Sequence, residues 1–232
     1  MKIKHAMILS AGLGKRMQPL TLETPKPLLK INGKTLLERA LNLLINHGVE
    51  EISINTHHLG EQIEKFISNF KTKANLRISD EKELLLDTGG GVLKGTEKFN
   101  NNPFFVINPD TLWSNKYLGE VNFLEKLYFD NRKPCLLLVN KELSLDKSFG
   151  GDFNLKNKSV SKDEQNQFIF TGLQIIRRDN FNLIKKKVFS LNEVWKKLIR
   201  DQNLYGAISN QKFYHLNTIE MFKKVSSLKS TD

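Results

Sequence analysis

His5-Ala6-Met7-Ile8-Leu9-Ser10-Ala11-Gly12-Leu13-Gly14 is a short apolar run that ends in a glycine-rich loop. A parallel strand covered on both faces reads this way, because no polar residue alternates with the apolar ones. Outward from this stretch the period switches back and forth. Leu37, Ala40, Leu41 and Leu44 fall at helical spacing, and His47-Gly48 closes a helix over 36–47. Ile52–Asn55 reads as the second strand, and Ile63, Phe66, Ile67 and Phe70 mark the next amphipathic helix. Leu76–Ser79, Phe104–Asn108 and Leu136–Val139 read as further strands. This alternation predicts an α/β fold in three layers, with a mainly parallel sheet and helices on both faces.

The pattern loosens after residue 141. Short β-like pieces at Phe153–Leu155 and Phe168–Ile176 alternate with polar stretches, and helices are expected near 190–200 and 218–226. No proline-rich linker, internal repeat or low-complexity block divides the chain, so residues 1–232 are expected to form one domain. Hydrophobic residues make up 39% and charged residues 26%, a balance that excludes disorder. The single cysteine, Cys135, excludes a disulfide framework or a Cys-based zinc site and fits a reducing cytoplasm. No apolar run approaches the ~18 residues of a membrane span, and Ala6-Met7-Ile8-Leu9 is too short for a signal-peptide core.

The formal charge of +11 is carried by the two ends of the chain, residues 1–80 and 161–232, while the middle is balanced. A basic excess calls for an anionic partner. Zinc-finger spacing, RNP-like aromatics and basic heptads are missing from the sequence, so neither nucleic acid nor membrane is the expected partner. Lys185-Lys186-Lys187 reads as a solvated helix end. Phosphorylated small molecules remain, and one motif prefers them.

That motif is Ser10-Ala11-Gly12-Leu13-Gly14-Lys15-Arg16-Met17-Gln18-Pro19-Leu20-Thr21, followed by Thr24-Pro25-Lys26-Pro27-Leu28. Gly12 and Gly14 let the backbone approach a ligand closely and turn its N–H groups toward phosphate oxygens. Arg16 adds a planar fork, and Lys26, pinned between two prolines, adds a point charge at reduced entropic cost. A dinucleotide fingerprint would need Gly or Ala where Met17 stands, and an acid where Asn55-Thr56-His57 ends the second strand. A Walker loop would need Gly-Lys-Ser/Thr, which does not follow. Asp110 closes the apolar strand Phe104–Asn108 at its carboxyl end, where it either receives a metal or caps the next element. His47, His57 and His58 read as helix-end or loop residues, and Cys135 as a small buried hydrophobe.

The stretch Gly12–Leu28 resembles the signature of the sugar-1-phosphate nucleotidyltransferases, and the likeness continues along nearly the whole chain. Asp87-Thr88-Gly89-Gly90-Gly91 resembles the family's acid-Thr-Gly-Gly segment, Gly151-Asp152-Phe153 a substrate loop, and Phe170-Thr171-Gly172 the strand facing the sugar. In length and in these segments the chain is most similar to the short N-acetylmuramate-1-phosphate uridylyltransferases of peptidoglycan recycling. The resemblance implies a Rossmann-like fold, with residues 1–140 as a nucleotide-binding half and 141–232 as a sugar-side half. It implies a nucleoside triphosphate, UTP in first place, and a sugar 1-phosphate as partners, with Mg²⁺ as cofactor. Mannose-1-phosphate guanylyl transfer and a non-catalytic nucleotide-sugar-binding protein are the alternatives.

Residue by residue, Arg16, Lys26 and Asp110 take the catalytic positions. Ala11, Gly12, Leu13, Gly14, Lys15, Gly89, Gly90 and Asn108 take nucleotide-binding ones, and Gly151, Asp152 and Gly172 sugar-binding ones. Gly89-Gly90-Gly91 stands just before a helix expected over Val92–Lys98, so it reads either as a binding segment or as the turn that starts that helix. Two departures stand out. Pro109 replaces the family's Gly before the metal-binding Asp110, and His215 stands where the family places its second metal-binding Asp, with Asn217 at the following Gly position. Imidazole is a poor ligand for Mg²⁺, which prefers oxygen.

Overall fold

The apolar run after the N-terminus is β1, His5–Ile8, and the computed structural model describes residues 1–182 and 184–228. Along the chain follow α1 (Leu20–Glu23), β2 (Lys30–Ile31), β3 (Lys34–Thr35), α2 (Leu36–His47), β4 (Glu51–Thr56) and α3 (Gly60–Asn69). Next come β5 (Asn75–Asp80), α4 (Asp87–Gly95), β6 (Phe104–Ile107), α5 (Leu118–Asn131) and β7 (Cys135–Asn140). The remainder comprises β8 (Asn154–Lys156), β9 (Ser159–Ser161), β10 (Phe168–Ile176), α6 (Leu191–Arg200), β11 (Tyr205–Ser209) and α7 (Ile219–Ser226).

One nine-stranded sheet has the order β5-β4-β1-β6-β10-β7-β11-β9-β8. β1 is paired in parallel on both sides, His5 lying opposite Glu51 of β4 and Phe104 of β6. β10 enters antiparallel between β6 and β7, and β9 runs against both β11 and β8; the other strands share one direction. Alternation along the strands divides the core. Ala6 and Ile8, Phe105 and Ile107, and Cys135 and Leu137 pack with Leu37 of α2, Ile63 of α3 and Val121 of α5. Met7, Phe104, Val106 and Leu136 pack with Val92 of α4 and with Val194 and Leu198 of α6 on the opposite face. Helices on both faces explain why these strands are apolar without interruption. The expected three-layer α/β fold is the one observed.

Details differ from the sequence reading. The helix expected over Val92–Lys98 begins at Asp87, so Gly89, Gly90 and Gly91 lie inside α4. They are there because no Cβ would fit: one on Gly89 would overlap the Phe189 ring, and one on Gly90 the Lys187 carbonyl. Lys185, Lys186 and Lys187 are exposed, but they belong to an irregular segment and end no helix. Helix α5 and strand β11 add elements that periodicity does not reveal. In α5 a buried Glu125 and an exposed Phe123 blur the apolar stripe.

Glu125 is the reason α5 can carry a charge into the core. Its Oε1 accepts from the Ile3 amide at 2.7 Å and lies 3.2 Å from His47 Nε2 at the end of α2, and Lys2 approaches Oε2 at 3.6 Å. Burial lowers the His47 pKa, against the pull of Glu125 that raises it. The carboxylate thus ties the start of β1 to two helices. Glu125→Ala leaves a buried amide without its acceptor and is expected to cost about 1–3 kcal/mol. Equilibrium denaturation of the two proteins measures it, and a variant as stable as the parent would remove Glu125 from this role.

Candidate functional site

Parallel strands deliver their following loops to one edge of the sheet, and a cleft of about 670 Å³ opens there. Of the sequence candidates, Ala11, Gly12, Gly14, Lys15 and Arg16 line it after β1, Asn108 and Asp110 line it after β6, and Lys26 reaches it from the proline-flanked turn. Gly14 has φ +62°, and a Cβ there would meet Thr21 Cγ2 at 2.8 Å, so the loop turns where only glycine is comfortable. The Thr21 hydroxyl donates to the Gly14 carbonyl at 2.9 Å and pins that turn. Met17 is buried beneath the short turn Lys15–Met17, which leaves the Lys15 and Arg16 side chains exposed at the rim.

Asp110 gathers the centre. Lys26 Nζ donates to its Oδ2 at 2.6 Å, and His215 Nε2 lies 3.2 Å from the same oxygen. Burial alone would push the Asp110 carboxyl up; the Lys26 ammonium and then the His215 ring outweigh it and hold the group well below the usual carboxylate range. The placement of His215 follows from backbone pairing. Thr111 and His215 form an antiparallel bridge, and the Leu216 amide donates to the Asp110 carbonyl at 2.8 Å. The ring packs against Phe149 and Phe213, with centroids 5.7 and 5.9 Å away, in a three-ring cluster.

The turn Asn108-Pro109-Asp110 is set from β10. The register of β10 slips between Phe170 and Gln174, and Gly172 there has φ +93°. Its carbonyl accepts from the Asn108 amide at 2.8 Å, and the Thr171 carbonyl accepts from the Thr111 hydroxyl at 2.6 Å. Gly172 therefore stands behind the cleft and shapes it. Gly151 and Asp152 lie farther along the same system, where Asp152 Oδ2 accepts from the Phe170 amide at 2.9 Å. Gly89 and Gly90 turn their amides to the Phe189 carbonyl, at 2.9 and 3.1 Å. Among the residues that line the cleft, Leu13, Gly89, Gly90, Gly151, Asp152, Gly172 and His215 are not found.

Others line it too; the family likeness already marks Asp87, Thr88 and Asn217, but not Asn55 or Glu81. Asn55 is the last residue but one of β4, Glu81 follows β5, Asp87 and Thr88 begin α4, and Asn217 comes from the segment before α7. For Asn55 and Glu81 the sequence offers only the weak signal of a polar residue near the carboxyl end of a parallel strand. Asn217 Oδ1 and Asp110 Oδ1 are buried and have no hydrogen-bond partner among the described residues. Two such oxygens on one cleft fit a hard divalent cation such as Mg²⁺. His215 Nε2 is committed to Asp110, while its Nδ1 is also buried without a hydrogen-bond partner among the described residues; as an imidazole nitrogen it suits Mg²⁺ less than the two oxygens do.

With this geometry in hand, comparison with known proteins is direct. The nucleotidyl transferase family profile matches residues 5–150. An N-acetylmuramate alpha-1-phosphate uridylyltransferase of Neisseria meningitidis serogroup B is 31% identical over 96% of this chain and 97% of its own. One of the same description from Caulobacter vibrioides is 29% identical over 92% and 91%. The crystal structure of a UDP-glucose pyrophosphorylase with UDP-glucose superposes with a TM-score of 0.78 over 97% of both chains at 18% identity, a likeness of fold.

Arg16 and Lys26 both line the cleft, and two such cations suit an anionic ligand. Arg16→Ala and Lys26→Ala are each expected to weaken nucleoside triphosphate binding by about tenfold or more, the loss of one charge-assisted hydrogen bond of roughly 1.5–3 kcal/mol. Calorimetric titration checks this. Unchanged affinity in both variants would mean that the loop cradles no phosphate.

Proposed function

The chain belongs to the nucleotidyl transferase family, and on that premise we propose that it transfers UMP from UTP to a sugar 1-phosphate of the N-acetylmuramate type, releasing pyrophosphate. The observation that carries the reading is the Lys26–Asp110 pair sharing one cleft with the Gly12–Gly14 loop. The sugar and the base are taken from the two relatives that align over nearly their full lengths.

The chemistry asks little of acid–base groups. A sugar phosphate is an anionic nucleophile at neutral pH, so one of its oxygens attacks the α-phosphorus directly. A P–O bond forms there, the bond to the β-phosphate breaks, and its electron pair leaves with pyrophosphate. Catalysis then consists of alignment and charge neutralisation. Amides of the Gly12–Gly14 loop and the Arg16 guanidinium would hold the departing pyrophosphate. Lys26 has three N–H donors and gives one to Asp110, so two remain for phosphate oxygens. Asp110 thereby fixes the ammonium at the reacting centre.

Asp110 Oδ1 and Asn217 Oδ1 would hold Mg²⁺, which supplies further neutralisation of phosphate charge when bound. His215 would orient Asp110 through Oδ2. The 141–232 half would carry the sugar, with Gly151, Asp152 and Gly172 shaping its pocket from behind. Gly89 and Gly90 would act on the nucleotide through the position of α4. Its place of work would be the cytoplasm.

Pyrophosphate release, screened over four nucleoside triphosphates against a panel of sugar 1-phosphates, tests the reading. Turnover is expected to be highest with UTP and N-acetylmuramate 1-phosphate. Asp110→Asn is expected to lower that turnover by about a hundredfold or more, since it removes a charge that acts in the transition state. GTP with mannose 1-phosphate as the best pair would replace the substrate assignment. Tight nucleotide binding with no turnover for any pair would make the protein a binder.

A further inference from the structure

A buried polar relay joins the two walls of the cleft. The Ser10 amide donates to Asn55 Oδ1 at 2.7 Å, Asn55 Nδ2 donates to Glu81 Oε1 at 2.7 Å, and Glu81 Oε2 accepts from the Leu86 amide at 2.9 Å. Asn55 is 3% exposed and Glu81 1%, so little water competes for these bonds. Ser10 precedes the Gly12–Gly14 loop on one wall. Leu86 lies between Leu85 and Asp87, which line the other wall. Gly91 of α4 presses on the middle of the relay, for a Cβ there would come within 2.7 Å of Glu81 Oε1 and 2.8 Å of Asn55 Nδ2. A second grip acts on the Glu81 backbone, whose carbonyl lies 2.9 Å from His57 Nδ1 and whose amide donates to the Thr56 carbonyl at 2.8 Å.

We propose that Asn55 and Glu81 are positioning residues that set the distance between the phosphate loop and the 85–88 wall, and so the affinity for the nucleoside triphosphate. The inference rests on the nucleotidyl-transfer reading for the identity of the ligand, and on the hydrogen-bond polarity for everything else. Each site in the relay has one sense. Asn55 accepts from one neighbour and donates to the next, while Glu81 accepts at both oxygens.

That polarity can be inverted and restored. Asn55→Asp sets a carboxylate against the Glu81 carboxylate. Glu81→Gln leaves either the Leu86 amide or Asn55 Nδ2 facing another N–H. In the double variant N55D/E81Q every bond returns: Asp at 55 accepts from the Ser10 amide and from the Gln amide nitrogen at 81, whose oxygen accepts from Leu86. The double variant keeps the formal charge of the parent.

Calorimetric UTP binding, with KM and kcat for pyrophosphate release and thermal melting of each protein, reads the outcome. Each single variant is expected to bind UTP about tenfold more weakly, with the change in KM for UTP exceeding that in kcat, and the double variant to return within about threefold of the parent. Should a single variant fail to fold, Glu81→Asp keeps both acceptors while shortening their reach, and is expected to weaken UTP binding by about threefold or more. Singles that bind like the parent, or that lower the melting temperature without changing the affinity of folded protein, would overturn the proposal. So would a double variant no better than the weaker single, which would assign the Glu81 carboxylate to direct substrate contact. A parent that binds UTP but turns over no sugar phosphate would fail the transfer reading alone and leave the binding comparison decisive for the relay.

Discussion

A carboxylate that burial would neutralise is kept charged by two neighbours contributed from opposite ends of the chain. Asp110 shares one oxygen between Lys26 and His215, and the other is buried with no hydrogen-bond partner among the described residues. Most of the surrounding architecture serves that meeting. Pro25 and Pro27 stiffen the turn that carries Lys26, β6 ends at the turn that carries Asp110, and the bridge to Thr111 brings His215 alongside. Removing one partner of this half-buried pair leaves the other's charge uncompensated.

The reversed strand β10 is the second constraint. By passing antiparallel between β6 and β7 it places a bulge against the back of the Asn108-Pro109-Asp110 turn. Pro109 has no amide to give, so the turn is held instead from its flanks, by the Asn108 amide on Gly172 and the Thr111 hydroxyl on Thr171. The Trp113 indole adds a third hold by donating to the Asn108 carbonyl at 2.7 Å. The departure at Pro109 is thus absorbed by bonds that need nothing from the substituted residue.

Local signals explain what was legible in the sequence. The loop around Gly12 and Gly14 and the prolines flanking Lys26 are short-range features, as are the apolar strands β1, β6 and β7. Each could be read without knowing what packs on it. Glu81 could not, because its importance comes from Asn55 and Leu86, contacts that only the fold creates. The glycines at 89–91 misled for a related reason: they suit a loop by propensity, yet here they let α4 approach Phe189 and Lys187. Helix α5 was hidden because Glu125, the polar residue that interrupts its stripe, is buried to hold the Ile3 amide.

The order of residues along the polypeptide has a consequence for synthesis. Asp110 and Lys26 leave the ribosome early, with β1, β4 and β6 already available to build the parallel part of the sheet. β10, which lies beside β6, and the Phe213–His215 segment, which pairs with 111 and 144, arrive much later. Until then Asp110 has Lys26 but neither the imidazole nor the bulge behind it. A nascent or truncated chain that stops after β7 therefore carries the Gly12–Gly14 loop without the segments that flank Asp110. The late segments are thus the ones that complete the surroundings of Asp110.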